Sequence, residues 1–339
     1  MMNNEILQAP FPYFGGKSAV AKQIWQALGQ PNHYIEPFFG SGAVLLARPD
    51  YNPTEHVETI NDKDGFVANV WRSLQYSPDE TARWCDWPVN HADLVARKAA
   101  LLKNENRLLE GLSIDDKWHD PVMAGYWIWA ASCWIGAGLT RPTQIPHIDD
   151  AGVGVHKLSQ IPHISNPGKG VHKLSQRPHL SASGMGVQEP YNINIYDWFR
   201  RLSERLRNVR VVCGDWTRVC GGNWQNDMGI CGIFFDPPYG IADRDIDIYE
   251  KHDSVTVASD VNKWCIEHGK LSDYRIVITG YEEHMNLVNK YGWRFENWKT
   301  LGGYAKLGKG DTQGKVNRKR EVIYYSPYCI NTYQESLFK

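Results

Sequence analysis

Tyr34-Ile35-Glu36-Pro37-Phe38-Phe39-Gly40-Ser41-Gly42-Ala43-Val44-Leu45-Leu46-Ala47 decides the fold. An apolar run ends in a Gly-x-Gly turn, and a helix-like pattern follows it. Short continuous apolar runs of this kind mark strands buried on both faces of a parallel sheet. Similar runs recur outward along the chain. Val57-Glu58-Thr59-Ile60 ends in Asn61-Asp62, and Val209 to Cys213 ends in Gly214-Asp215. Gly232-Ile233-Phe234-Phe235 ends in Asp236-Pro237-Pro238-Tyr239, and Arg275 to Thr279 ends in Gly280-Tyr281. Glu321 to Tyr325 closes the series. The expectation is a doubly wound, mostly parallel α/β sheet. Ligands of such sheets bind just beyond the carboxyl ends of strands, where these acidic and small residues fall.

The interval between the second and third strands reads differently. Residues 78–135 have a helical pattern, with tryptophans at 118, 127, 129 and 134. Those tryptophans are expected in the core rather than as a stacking platform. Three copies of a 16-residue unit follow at 143–158, 159–174 and 175–190, each with Gln-x-Pro-His and Gly-x-Gly-Val. The unit is too short for a helical solenoid. Its prolines and paired glycines suggest turns between short extended segments. Residues 1–70 and 205–330 together make a reasonable single α/β domain. Residues 71–204 then form an inserted lobe of helices and loops.

The 339 residues carry a net charge of −1, so any nucleic-acid surface is a local patch. Two basic segments qualify. One holds Arg141, Lys157, Lys169, Lys173 and Arg177; the other holds Lys306, Lys309, Lys315, Arg318, Lys319 and Arg320. A solvated charged face is the plainer reading of such runs. No apolar run approaches the ~18 residues of a membrane helix, and no signal peptide is evident, so the chain reads as cytoplasmic. Seven cysteines without a Cys-x-x-Cys pair suit a reducing compartment and suggest neither disulfides nor zinc. Five histidines recur in the repeats with no acidic partner in step, so no metal site is expected.

Two nucleotide motifs fail. Phe14-Gly15-Gly16-Lys17-Ser18 lacks the first glycine of a phosphate loop, since that position is Phe11. The Gly40-Ser41-Gly42 turn lacks the third glycine of a dinucleotide fingerprint, since position 45 is Leu. Asp236-Pro237-Pro238-Tyr239 is more specific. Two prolines end a buried strand and stiffen it, holding a carboxylate and an aromatic ring three residues apart. That pair suits a planar base with an amino group, although a Pro-Pro turn with a surface tyrosine is the simpler alternative.

Taken in order, YFGGK (13–17), EPFFGSG (36–42), IND (60–62) and DPPY (236–239) resemble the Dam-type DNA adenine-N6 methyltransferases. The tail from Val316 to Pro327 is similar to endings of phage-borne members. The resemblance implies a Rossmann-like methyltransferase sheet with a target-recognition region inserted between its halves. It implies S-adenosylmethionine as cofactor and double-stranded DNA as partner. Tyr13 and Lys17 match the aromatic and the lysine of the family's first motif, which contact the cofactor. Glu36 stands where aspartate is common, followed by Phe38, Gly40 and Gly42 of the cofactor loop. Asp62 matches the carboxylate suited to both ribose hydroxyls, though it could instead cap a helix. Asp215 could meet the cofactor's adenine amine. Asp236, Pro237, Pro238 and Tyr239 match the catalytic motif. The implied reaction flips adenine out of the duplex and transfers a methyl group to its amine. Transfer to RNA or to the cytosine amine, or a catalytically silent DNA-binding relative, remain alternatives. Three near-copies of one short unit cannot readily read different bases, which suggests a short or relaxed target.

Overall fold

The computed structural model describes residues 7–11, 13, 15–133, 139–140, 194–221, 229–238, 256–298 and 321–331. Tyr239, the three repeats and all eleven basic residues of the two candidate DNA-binding segments lie outside them.

Seven strands form one sheet. They are β1 (His33–Glu36), β2 (Val57–Asp62), β3 (Val209–Cys213), β4 (Cys231–Phe235), β5 (Tyr274–Gly280), β6 (Arg294–Asn297) and β7 (Val322–Tyr325). Their spatial order is β3-β2-β1-β4-β5-β7-β6. The first five run parallel, and β7 pairs antiparallel with both β5 and β6. This is the mostly parallel sheet expected from the sequence. Every residue of β1 and β4 is buried, as a strand covered on both faces requires. β6, with the sequence Arg-Phe-Glu-Asn, was not expected. It is an edge strand, alternately half-buried and exposed, and lacks the apolar run that reveals the central strands.

Ten helices are described: α1 (Ala21–Leu28), α2 (Ala43–Leu46), α3 (Gly65–Tyr76), α4 (Pro78–Cys85), α5 (His91–Ile114), α6 (Pro121–Cys133), α7 (Ile195–Leu206), α8 (Thr217–Cys220), α9 (Val257–His268) and α10 (Met285–Tyr291). Strand residues alternate between two cores, the period of two that a pleated sheet imposes. Tyr34, Phe234, Val277 and Ile323 face α1–α7. Ile35, Ile233, Phe235, Ile276 and Ile278 face α8–α10. The sheet is thus the middle layer of three.

Residue 70 falls inside α3 and residue 204 inside α7. The helices of residues 78–133 share a core with the sheet: Leu94, Leu101, Trp127 and Trp129 pack in one cluster with Tyr34 and Ile60. Trp127 and Trp129 are core residues, as expected. α3 is buried on nearly every side, and its polar residues satisfy the backbone of its neighbours. Arg72 donates to the carbonyls of Val211, Leu112, Asp115 and Trp118. Gln75 donates to those of Leu206 and Val209, and Asn69 exchanges two bonds with the backbone of Asp120. At the amino end of β2, buried Glu58 takes both Arg48 and Arg205, which fastens α7 to the sheet. All seven cysteines are buried and unpaired, consistent with no disulfide framework.

Candidate functional site

From β1 the chain builds β2 and β3 to one side, then returns to place β4 on the other side of β1. The carboxyl ends of β1 and β4 therefore flank the point where strand order reverses, the usual ligand crevice of a doubly wound sheet. Residues far apart in sequence meet here.

Asp236 follows β4 directly. Its Oδ2 accepts from the Lys17 ammonium at 2.7 Å, and its Oδ1 accepts from the Thr279 hydroxyl at 2.7 Å. Lys17 is 4% exposed and also donates to the Gly15 carbonyl at 2.7 Å. Thr279 is fully buried near the end of β5. Register explains the last contact: Phe235 pairs with Ile278, so the next residues of the two parallel strands lie side by side. Pro237 is buried behind them, and Pro238 is half-buried.

The turn after β1 is held open by glycine. Gly40 has φ +48° and Gly42 has φ +62°. A Cβ on Gly40 would sit 2.5 Å from the ring of Tyr13, so that ring lies directly over the Gly40 backbone. The Gly40 N–H donates to Asp62 Oδ2 at 2.8 Å, and the Gly40 carbonyl accepts from the buried Trp71 indole at 2.9 Å. Phe38 packs toward Trp216 and Phe235.

Asp62 ends β2 with both oxygens engaged, Oδ1 accepting from the Asp64 N–H at 2.9 Å. It does not cap the following helix. Asp64 does so, accepting from the Phe66 N–H at 2.7 Å. Burial pushes the Asp62 carboxyl up to about 6, against the lowering effect of the backbone donors at Asp64, Gly40 and Lys63. Beside it Asn61 donates to the carbonyls of Pro37 and Gly214, both at 3.0 Å, tying together the loops after β1 and β3. Its buried Oδ1 has no hydrogen-bond partner among the described residues.

Glu36 is fully inside the sheet, its Oε2 accepting from the Tyr34 hydroxyl at 2.8 Å. Burial raises its carboxyl well above the usual range; the Tyr34 hydrogen bond opposes that, and the negative charge of Asp236 adds to it. Asp215 is exposed beyond β3 and accepts from the Thr217 N–H and hydroxyl, which anchors the start of α8. Thr279 and Trp71 carry no motif and were not anticipated; Asn61 lies in the IND motif, but no role was assigned to it. Strand register could have found Thr279, once β4 and β5 were known to be neighbours.

The donor set fits a ligand with an anionic end, a diol and a close backbone approach. Lys17 offers an ammonium, Asp62 a carboxylate, and the two glycines a surface that any side chain would obstruct. Asn61 Oδ1 is an acceptor still to be satisfied. Among the described residues no three His, Cys, Asp or Glu side chains converge as a metal site would require, and no helix is long and apolar enough to cross a membrane.

No protein of curated function matches the chain. Asp236 and Thr279 lie beyond the stretch that the family comparison covers, whereas Lys17, the glycine turn and Asp62 lie within it. Residues 13–103 match the model of the D12 class N6 adenine-specific DNA methyltransferase family, which bears out at family level the resemblance carried by the four motifs.

Proposed function

We propose that the protein transfers the methyl group of S-adenosylmethionine to the exocyclic amine of adenine in DNA. The observation that carries this reading is the convergence of Asp236, Lys17, the Gly40–Gly42 turn and Asp62 at the strand-order reversal. When bound, S-adenosylmethionine supplies an electrophilic methyl group on a sulfonium sulfur. Lys17 would hold its carboxylate, Asp62 its ribose hydroxyls, and Tyr13 with the glycine turn its body. Glu36 and Phe38 would shape the floor of that pocket, and Asp215 would meet its adenine amine.

The target amine is a poor nucleophile, because its lone pair is delocalised into the ring. Asp236 and the Pro237 carbonyl would accept its two N–H bonds, favouring a pyramidal nitrogen. Tyr239 would stack on the base after it is flipped from the duplex. Proximity then supplies much of the acceleration, since both reactants are held at adjacent strand ends. The helical and repeat-bearing interval 71–204 would approach the DNA. Arg141, Lys157, Lys169, Lys173, Arg177 and the basic residues from Lys306 to Arg320 would meet phosphates. Because phosphate contacts position without specifying, a short or relaxed target is expected.

The test is transfer of labelled methyl from S-adenosylmethionine to duplex DNA and, in parallel, to RNA, followed by digestion to nucleosides. Label in N6-methyladenosine derivatives of DNA supports the reading, and label in RNA or in N4-methylcytosine overturns it. Asp236→Ala should lower the rate by about 10²–10³ with the fold intact. A rate retained within a few-fold at saturating cofactor contradicts the assignment.

A further inference from the structure

We propose that Thr279 is a positioning residue for methyl transfer, acting through the carboxylate of Asp236; this rests on the function proposed above. Asp236 is the residue that must present a lone pair to the target amine, and a carboxylate on a single-bonded stem can rotate. Two donors reach its two different oxygens. Lys17 takes Oδ2 and Thr279 takes Oδ1, each at 2.7 Å. Together they fix the carboxylate plane, and with it the direction of the lone pairs left for the amine.

The two donors differ in what holds them. Lys17 has a long, flexible stem, and the proposed cofactor site lays a claim on its ammonium. Thr279 is held by its strand. Its residue sits in a strand clamped on both sides, with Ile278 in register with Phe235 on β4 and Thr279 itself opposite Ile323 on β7. It is fully buried, and a β-branched side chain is restricted at χ1. The hydroxyl lies at 3.4 Å from the Phe235 carbonyl and at 2.7 Å from Asp236, so its proton is directed to the carboxylate. When Lys17 turns to a ligand, the Thr279 bond is the one that keeps Asp236 in place. A valine at 279 has nearly the same shape but no donor, and the change is not conservative for that reason.

The experiment compares wild type, Thr279→Val and Thr279→Ser in four measurements. These are the single-turnover methyl-transfer rate with DNA and cofactor saturating, the KM for DNA, cofactor affinity by calorimetry, and the Tm. Thr279→Val is expected to slow the single-turnover step by about 10- to 100-fold, as misplacement of a reacting group does. Cofactor affinity should stay within about threefold. Thr279→Ser should recover the rate to within about fivefold of wild type, because it restores the hydroxyl. A Thr279→Val rate within about threefold of wild type overturns the proposal, as does a serine variant as slow as the valine one. A readout without turnover separates this proposal from the function it rests on. In selectively labelled free protein, the Asp236 carboxyl ¹³C resonance should move in Thr279→Val and return in Thr279→Ser. An unmoved resonance overturns the positioning role, whereas a wild type that methylates no adenine overturns the proposed function.

Discussion

Asp62 gives the proposed cofactor site a pH dependence whose sign runs against that of the fold. Its carboxyl titrates near 6 because burial disfavours the charge. A carboxylate accepts hydroxyl hydrogens better than the protonated acid does, so cofactor affinity should fall as the pH drops through 6. If the ionised form is the binding form, the apparent Kd scales with one plus the ratio of protonated to ionised acid. Between pH 7 and pH 5 that is a rise of about tenfold. Folding responds in the opposite direction. The folded value lies above the ordinary 3.8, so the native state binds the proton more tightly than the unfolded chain does. The ionised carboxylate therefore costs stability above pH 6, and the cost is relieved as the pH falls toward 4. The buried histidines do not interfere: burial holds His33 and His284 near 4, so both stay neutral from pH 5 to 8. The assay is calorimetric titration with S-adenosylmethionine at pH 5, 6, 7 and 8, on wild type and on Asp62→Asn. The variant corrects for the ligand's own titration. It should bind weakly at every pH, and its Tm relative to wild type should fall as the solution is acidified. A wild-type Kd that parallels the variant's across this range refutes the role given to Asp62.

Further outcomes follow from single contacts. Lys17→Met removes the ammonium from Asp236 and should weaken cofactor binding at least tenfold by calorimetry; unchanged affinity contradicts its assignment. Gly40→Ala places a methyl 2.5 Å from the Tyr13 ring at a positive φ, and should cost cofactor affinity with a Tm loss of a few degrees. Arg72→Met removes a donor from four carbonyls, that of Leu112 buried and the other three part-buried, and should destabilise the fold by about 3 kcal/mol in urea titrations, with a loss under about 1 kcal/mol counting against the clamp. Deleting residues 159–174, one whole repeat, should weaken DNA binding and flatten its salt dependence without creating a new sequence preference.

The parts of the fold that were legible are those where burial leaves one residue type. β4 and the Ile276–Ile278 stretch of β5 read as apolar runs because helices cover both their faces, and β1 was found from Tyr34-Ile35 and the apolar residues just beyond it. β6 has one wet edge and a half-polar composition, so nothing distinguishes Arg294 to Asn297 from a loop. The site divides in the same way. Gly40 and Gly42 were legible because a positive φ and a ring at van der Waals distance leave only glycine. Asp62 was ambiguous because a strand-end carboxylate and a helix cap have the same local sequence; only the fold shows that Asp64 takes the cap. Thr279 was invisible. A threonine ending an apolar strand is ordinary, and its meaning comes from a neighbour 43 residues away.

The geometry also explains why the first motif, before α1, belongs to the site at all. Lys17 lies 219 residues from Asp236, and no local preference brings them together. α1 does so. It starts four residues after Lys17, buries Ile24, Trp25 and Leu28 in the core beneath the sheet, and is joined to the Lys17 turn by the Val20 N–H bonding the Lys17 carbonyl. Burying a lysine at 4% exposure is costly unless its charge is met, and Asp236 meets it. The same bond that makes the N-terminal turn tolerable thus loads Asp236 with a cation before any substrate arrives. An acceptor paired in this way stays oriented, and in the proposed reaction the target amine would share Oδ2 with Lys17 or replace it there. In the role proposed for it, Thr279 on the other oxygen would let that exchange happen without the carboxylate turning away.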